Sequence, residues 1–325
     1  MKKVFVTNVT EKYIPIAINL VKSIRLFSDI DIIVYGIDVE SCTLFNEFKN
    51  VYFKTLILNL DHDNPLVNDN NNNFYVVRDN IKTFNILSSK IDTMIESLKE
   101  NYDSFCYLDS DCIATPIIEE LFDWSSKVDD YPLATKGIHD YMMLIEDGNV
   151  IGNPFEGCWP ECDNKLSLEW PLMQFLNLSP SNRGTYRTTN VLLYNKNSNN
   201  FLKTWLNLCK TISNISTYFK DSIAKYAPFH EETIYNVLNW KKSNEGFPLC
   251  YINIGDGINT TKDFYEVERE SNTLVWEESD NLNNRFYKIP EDKKHVKVLH
   301  GEKRTEEVEK ILTYLSNLND NGYFK

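Results

Sequence analysis

The chain has 325 residues, 42% hydrophobic and 13% aromatic, and its 34 Lys and Arg against 47 Asp and Glu give a formal charge of −13. That much apolar side chain fills a core and excludes a disordered chain, while an acidic balance with no basic stripe excludes a nucleic-acid partner. No apolar run approaches the ~20 residues that span a bilayer, and Asn8, Glu11 and Lys12 interrupt the N-terminus before a signal-peptide core can form; the expected protein is soluble and cytoplasmic.

Residues 3–7 form a short β-like run, and Tyr13, Ala17, Leu20, Val21 and Ile24 then recur at helical spacing behind a Pro15 that a first turn tolerates. Residues 32–35 are a second apolar run, leading into Gly36-Ile37-Asp38, and residues 51–60 are a third. Residues 61–73, ending in an Asn-rich run, read as a polar loop. Leu87, Ile91, Met94, Ile95 and Leu98 mark a helix that feeds the apolar run Phe105-Cys106-Tyr107-Leu108. Residues 137–180, rich in Gly, Pro, Trp and acids, read as a substrate-covering loop. Strand character returns at 188–195, helices are expected at 201–212 and 231–240, and a late strand at 296–299. Val308, Ile311, Leu312, Leu315 and Leu318 form a closing amphipathic helix.

Strands alternating with helices, with near-continuous apolar strands, predict a parallel sheet covered on both faces. The ligand site of such a sheet lies beyond the carboxyl ends of its strands, where the strand order reverses. No repeat or linker divides the chain. The seven cysteines are scattered, and neither Cys106 with Cys112 nor Cys158 with Cys162 has a second pair to complete a zinc site, so they read as reduced thiols.

The chemistry concentrates in Tyr107-Leu108-Asp109-Ser110-Asp111-Cys112. Two carboxylates at i and i+2 beyond a strand point to one side if the chain stays extended. That close, they repel and need a proton or a cation between them. Mn²⁺ or Mg²⁺ prefers such oxygens and keeps positions open for phosphate oxygens, so an acidic protein can hold an anionic ligand through it. The plain alternative is a solvated acidic turn.

From Asp103 to Phe122 the sequence resembles the metal-binding segment of the GT-A fold glycosyltransferases, with an apolar strand, D-x-D and a Leu/Phe-ended turn in that order. The stretch from Val4 to Asp38 is similar to their opening β-α-β unit. The likeness continues through Arg187 to Lys196, although Thr189-Asn190-Val191 lacks the glycine of their Asn-x-Gly. Val298-Leu299-His300-Gly301-Glu302-Lys303 is similar to the terminal histidine and lysine of the glycogenin-like family 8 enzymes, on a shorter spacing.

The resemblance implies an α/β, Rossmann-like GT-A fold: a mixed, mainly parallel sheet with helices on both faces and a C-terminal elaboration. It implies one domain over residues 1–325, with a nucleotide-sugar half at 1–125, an acceptor half at 126–303 and a closing helix and tail at 304–325. The implied activity moves a sugar from a nucleotide diphosphate donor, by default a UDP-sugar, to a glycan, protein or other acceptor. Asp109, Asp111 and His300 would hold the cation, and a histidine there goes with retention of configuration. Thr7, Asn8, Asp38, Arg78, Lys82, Ser110 and Lys303 become donor contacts. Glu231 and Glu232 become acceptor-facing catalytic residues, whose use as a base would point to inversion. Each also has a plainer reading: a loop polar or cap for Thr7 and Asn8, a solvated helix face for Arg78 and Lys82, and a complement to the helix dipole for the two glutamates. Trp159 and Trp170 are candidates for stacking on a sugar.

Three rivals stand beside this reading. Gly255-Asp256-Gly257-Ile258-Asn259 resembles the late motif of haloacid dehalogenase-type phosphatases, which also place Asp-x-Asp after a strand. Against them, Cys112-Ile113-Ala114 follows the acids where that family has Gly-Thr, β/α structure precedes the motif, and Thr260 replaces the second late acid. A nucleotidyltransferase would need a glycine-rich loop that Thr7-Asn8-Val9-Thr10 does not supply. The third is a non-catalytic carbohydrate-binding protein of the same fold.

Overall fold

A computed structural model describes residues 1–61, 66–68, 74–76, 81–136, 144–146, 149–152, 169–182, 187–214, 230–242, 246, 251–253, 297–301 and 305–322. β1 (Lys3–Val9) buries the consecutive residues Val4, Phe5, Val6 and Thr7, as a strand covered on both faces must. α1 (Ile14–Phe27) begins with Pro15 in its first turn, where no intrahelical N–H is lost, and buries Ala17, Leu20, Val21 and Ile24. β2 (Asp31–Ile37) then pairs parallel with β1, and β3 (Val51–Leu56) pairs parallel with β2.

β3 stops at Leu56, four residues short of the expected run, and Asp38 supplies the reason. Its carboxylate accepts the N–H groups of Leu58, Asn59 and Leu60 at 2.6, 2.8 and 2.7 Å, which curls the chain out of the sheet. Asp38 and Asn59 both sit at positive φ, 56° and 53°, a region these two residue types tolerate. The segment expected as a polar loop contains β4 (Leu66–Asn68), which pairs antiparallel with β5 (Phe74–Val76). The β-branched and aromatic residues flanking the Asn-rich run favour pairing more than the run's polarity opposes it.

α2 (Ile81–Ser97) carries the chain back across the sheet to β6 (Ser104–Leu108), which pairs parallel with the opposite side of β1. The order therefore reverses between β1 and β6. β7 (Cys112–Ala114) leaves the sheet, and a 3₁₀ stretch, Ile118–Lys127, leads to β8 (Leu133–Lys136). The stretch 137–180 is not loop throughout: it holds an antiparallel ribbon, β9 (Leu144–Glu146) with β10 (Asn149–Gly152), and α3 (Glu169–Phe175). β11 (Arg187–Tyr194) runs antiparallel between β6 and β8, giving the order β3-β2-β1-β6-β11-β8. The sheet is mixed and mainly parallel, and the fold is α/β as expected.

α4 (Asn199–Asn214) and α5 (His230–Lys242) follow, then β12 (Tyr251–Asn253), β13 (Val298–His300) and α6 (Thr305–Asp320). The late strand thus starts beyond residue 296 and includes His300. β13 lies between β12 and β7 in a second, three-stranded sheet. The right-handed rule for crossovers, applied in opposite directions from β1, would put α1 and α2 on opposite faces; α1 packs on β7 and α6, and α2 packs on α4 and α5. One contiguous core runs from Val4 to Val298, with Trp205, Tyr107, Tyr194 and Tyr235 among its largest members. Cys42, Cys106, Cys112 and Cys209 form no disulfide among the described residues, while Cys158 and Cys162 lie outside them. No helix among the described residues is long and apolar enough to cross a membrane.

Candidate active site

β6 ends where the strand order reverses, and the next residue is Asp109. Its N–H donates to the Asn190 carbonyl at 2.9 Å, and its own carbonyl accepts the Cys112 N–H at 3.0 Å. The acids therefore sit in a tight turn rather than in the extended chain that the i, i+2 spacing suggested. They still converge, because β7 begins directly after the turn and pairs with β13, opposing Cys112 to His300. The Gly301 N–H donates to the Asp111 carbonyl at 3.0 Å, with Gly301 at φ 101°, a conformation that glycine adopts without strain.

His300 Nε2 consequently lies 3.2 Å from Asp111 Oδ1. One ligand atom from each of Asp109, Asp111 and His300 falls within 4.8 Å of the others, and all three residues are half-buried, open to a ligand from solvent. Two hard carboxylates and one imidazole suit a divalent ion such as Mn²⁺. Ser110 is half-buried between the two acids.

Behind Asp109 lies a charge cluster from three further elements. Lys90 of α2 is buried, with Nζ 3.2 Å from Asp109 Oδ1 and 3.5 Å from Glu231 Oε1 on α5. The ammonium also reaches Thr189 Oγ1 of β11 at 3.4 Å and sits 5.8 Å from the centre of the Tyr107 ring. Burial alone would lower the Lys90 pKa, but the carboxylates of Asp109, Glu231 and Glu232 outweigh it and hold the ammonium above its ordinary value. β11 carries a register shift between Thr188 and Leu192, and bulges of this kind re-aim side chains.

Glu231 and Glu232 open α5 but are only 5% and 6% exposed, which does not suit a solvated complement to the helix dipole. Glu232 Oε2 accepts the Thr189 N–H at 2.8 Å, and the Glu231 carbonyl accepts Trp205 Nε1–H at 2.7 Å. Burial pushes the Glu232 carboxyl up to about 7; the Glu231 charge adds to this, while the Thr189 N–H, Lys90 and the Thr188 hydroxyl oppose it. Among the described residues, Glu231 Oε2, Glu232 Oε1 and Thr7 Oγ1 are shielded from solvent and lack a hydrogen-bond partner.

No family model and no curated protein sequence matches the chain. Among solved structures it is similar to the galactosyltransferase LgtC in complex with donor and acceptor sugar analogs, at 14% identity and a TM-score of 0.46, over 97% of this chain and 95% of that one. It is also similar to the apo-form glycosyltransferase GlyE of Streptococcus pneumoniae TIGR4, at 14% identity and a TM-score of 0.41, over 99% of this chain and 64% of that one. The bifunctional glycosyltransferase WbbM follows, at 15% identity and a TM-score of 0.46, over 96% of this chain and 49% of that one. Likenesses this low carry no weight in assigning an activity.

The remaining sequence candidates are spread around this centre. Thr7 is buried at the carboxyl end of β1. Asn8 ties three elements together: its Oδ1 accepts the Tyr107 hydroxyl at 2.6 Å and its Nδ2 donates to Ser89 Oγ at 2.9 Å. Asp38 holds the turn after β3. Lys82 lies in α2 and Trp170 in α3, but their side chains, like Arg78, Lys303, Trp159 and the whole of Gly255–Asn259, lie outside the described residues. Sequence reasoning missed Lys90 and Thr189. The available signal was Ser88, Ser89, Lys90, Thr93 and Ser97, a polar set on a helix that is otherwise a core element; all five are buried.

Proposed function

We propose that the protein is a metal-dependent glycosyltransferase of the GT-A type, moving a sugar from a nucleotide diphosphate donor, by default a UDP-sugar, to a carbohydrate or glycoconjugate acceptor with retention. The observation that carries this reading is the convergence of Asp109, Asp111 and His300 where the strand order reverses, the place where open α/β sheets bind nucleotides. Those three residues would hold Mn²⁺ or Mg²⁺. When bound, such an ion neutralises diphosphate charge and acts as a Lewis acid on the leaving group.

The chain's own groups divide the remaining work. Thr7, whose hydroxyl has no hydrogen-bond partner among the described residues, and Asn8 stand at the end of β1 on the nucleoside side, with Ser110, Arg78, Lys82 and Lys303 as further donor contacts and Asp38 shaping the β3 turn beside them. Glu231 and Glu232 each offer sugar hydroxyls an oxygen with no partner among the described residues, and Glu232 exchanges its proton near neutrality, the condition under which a carboxyl gives or takes a proton efficiently. The same reading makes residues 1–325 one domain, with donor and acceptor halves meeting at this centre, working in the cytoplasm.

The test is nucleoside diphosphate release from a panel of sugar nucleotides, with and without Mn²⁺, by wild type and Asp111→Asn. Metal-dependent release from one preferred donor, lost in the variant, is expected. If no sugar nucleotide is bound or cleaved while a phosphomonoester is hydrolysed, the reading fails and Asp109 becomes a phosphatase nucleophile.

A further inference from the structure

A buried ammonium is expensive, and a methionine of similar length would be easier to place in this core. Lys90 is nevertheless 6% exposed, and its side chain ends among four groups: Asp109 after β6, Thr189 on β11, Glu231 on α5 and the Tyr107 ring on β6. It grips both oxygens of Asp109, at 3.2 and 3.5 Å, yet only Oε1 of Glu231, whose Oε2 has no hydrogen-bond partner among the described residues. One carboxylate it holds is a candidate metal ligand. The other is fixed by one oxygen and presents its second.

We propose that Lys90 is a positioning residue that yokes Asp109 to Glu231, aiming the Glu231 carboxylate and tempering the grip of Asp109, Asp111 and His300 on a divalent cation. A fixed positive charge beside a metal ligand repels an incoming dication and shares that ligand's charge. The Glu231 half rests on the glycosyl-transfer reading; the metal half does not.

Three variants separate these effects from simple support of the fold. Lys90→Met removes the charge, Lys90→Arg keeps it, and the double variant Lys90→Met/Glu231→Gln also removes the carboxylate charge left unpaired, so that folding is retained if the single variant collapses. Mn²⁺ affinity is read from the electron paramagnetic resonance signal of the free ion, and turnover from nucleoside diphosphate release.

Loss of the ammonium should tighten Mn²⁺ binding roughly tenfold, since a like charge within several ångströms is removed at an intermediate dielectric. Turnover should fall about 100-fold in kcat, with donor KM changed far less, as expected of a misaimed group. Lys90→Arg should restore the wild-type Mn²⁺ affinity. Equal or weaker Mn²⁺ binding in both uncharged variants overturns the proposal, because a merely structural lysine would loosen the metal site when lost. If Mn²⁺ tightens but the wild type turns over no sugar nucleotide, the metal half stands and the glycosyl-transfer reading falls.

Discussion

Replacing Glu232 by Gln keeps the shape of the side chain and an oxygen to accept the Thr189 N–H, but removes a buried group that must ionise. In the folded protein this carboxyl titrates at about 7, against 4.5 for an unperturbed glutamate. A raised acid favours the fold in its protonated form. Its contribution is therefore fully present below pH 4.5 and is lost as pH rises towards 7, above which the carboxylate is charged in both states. The shift of 7 − 4.5 = 2.5 units, at about 1.36 kcal/mol each, corresponds to about 3 kcal/mol. Urea unfolding from pH 4.5 to 8, with EDTA to remove any contribution from bound cations, measures it. Glu232→Gln should match the wild type near pH 4.5 and exceed it by up to about 3 kcal/mol at pH 7.5. A stability difference between the two proteins that stays flat across the window would refute the buried placement of this carboxyl.

Two further perturbations probe other parts of the centre. Gly301→Ala places a Cβ at φ 101°, should cost about 1–3 kcal/mol of thermal stability, and should weaken Mn²⁺ binding by displacing His300; unchanged Mn²⁺ affinity would detach that turn from the metal site. Thr7→Val removes a buried hydroxyl that has no partner among the described residues, so unfolding in denaturant should show equal or greater stability while donor KM rises. A stability loss above about 1 kcal/mol would show that the hydroxyl is bonded within the fold.

The sheet was legible because its central strands are buried on both faces: Val4 to Thr7, Ile32 to Ile37 and Phe105 to Leu108 leave unbroken runs that no amphipathic pattern mimics. The acid pair was legible for a different reason, since two adjacent like charges at a strand end call for a counter-charge wherever they occur. Lys90 was not. Its helix announces a core face through Ile91 and Met94, and the polar set Ser88, Ser89, Thr93 and Ser97 around it signals a buried polar stripe without naming what the lysine meets. Its partners lie on β11, on α5 and beyond β6, elements that only tertiary folding brings together. The turn held by Asp38 was hidden in the same way: its placement at a strand end was readable, but the three N–H groups it accepts come from a turn some twenty residues on, and they end β3 early.

Charge balance links the two parts of the centre. Among the described residues, Asp109, Asp111, Glu231 and Glu232 bring four carboxyls into one region, against a single ammonium from Lys90. Below pH 7, where Glu232 is mostly protonated, three carboxylates face one ammonium, leaving two negative charges. A monovalent ion would leave half of that uncompensated in a poorly solvated place, whereas one divalent cation matches it. On the glycosyl-transfer reading, the same balance would let a chain of formal charge −13 attract an anionic diphosphate. The compensating charge would be delivered locally, at the carboxyl edge of the sheet, and no basic surface is needed elsewhere.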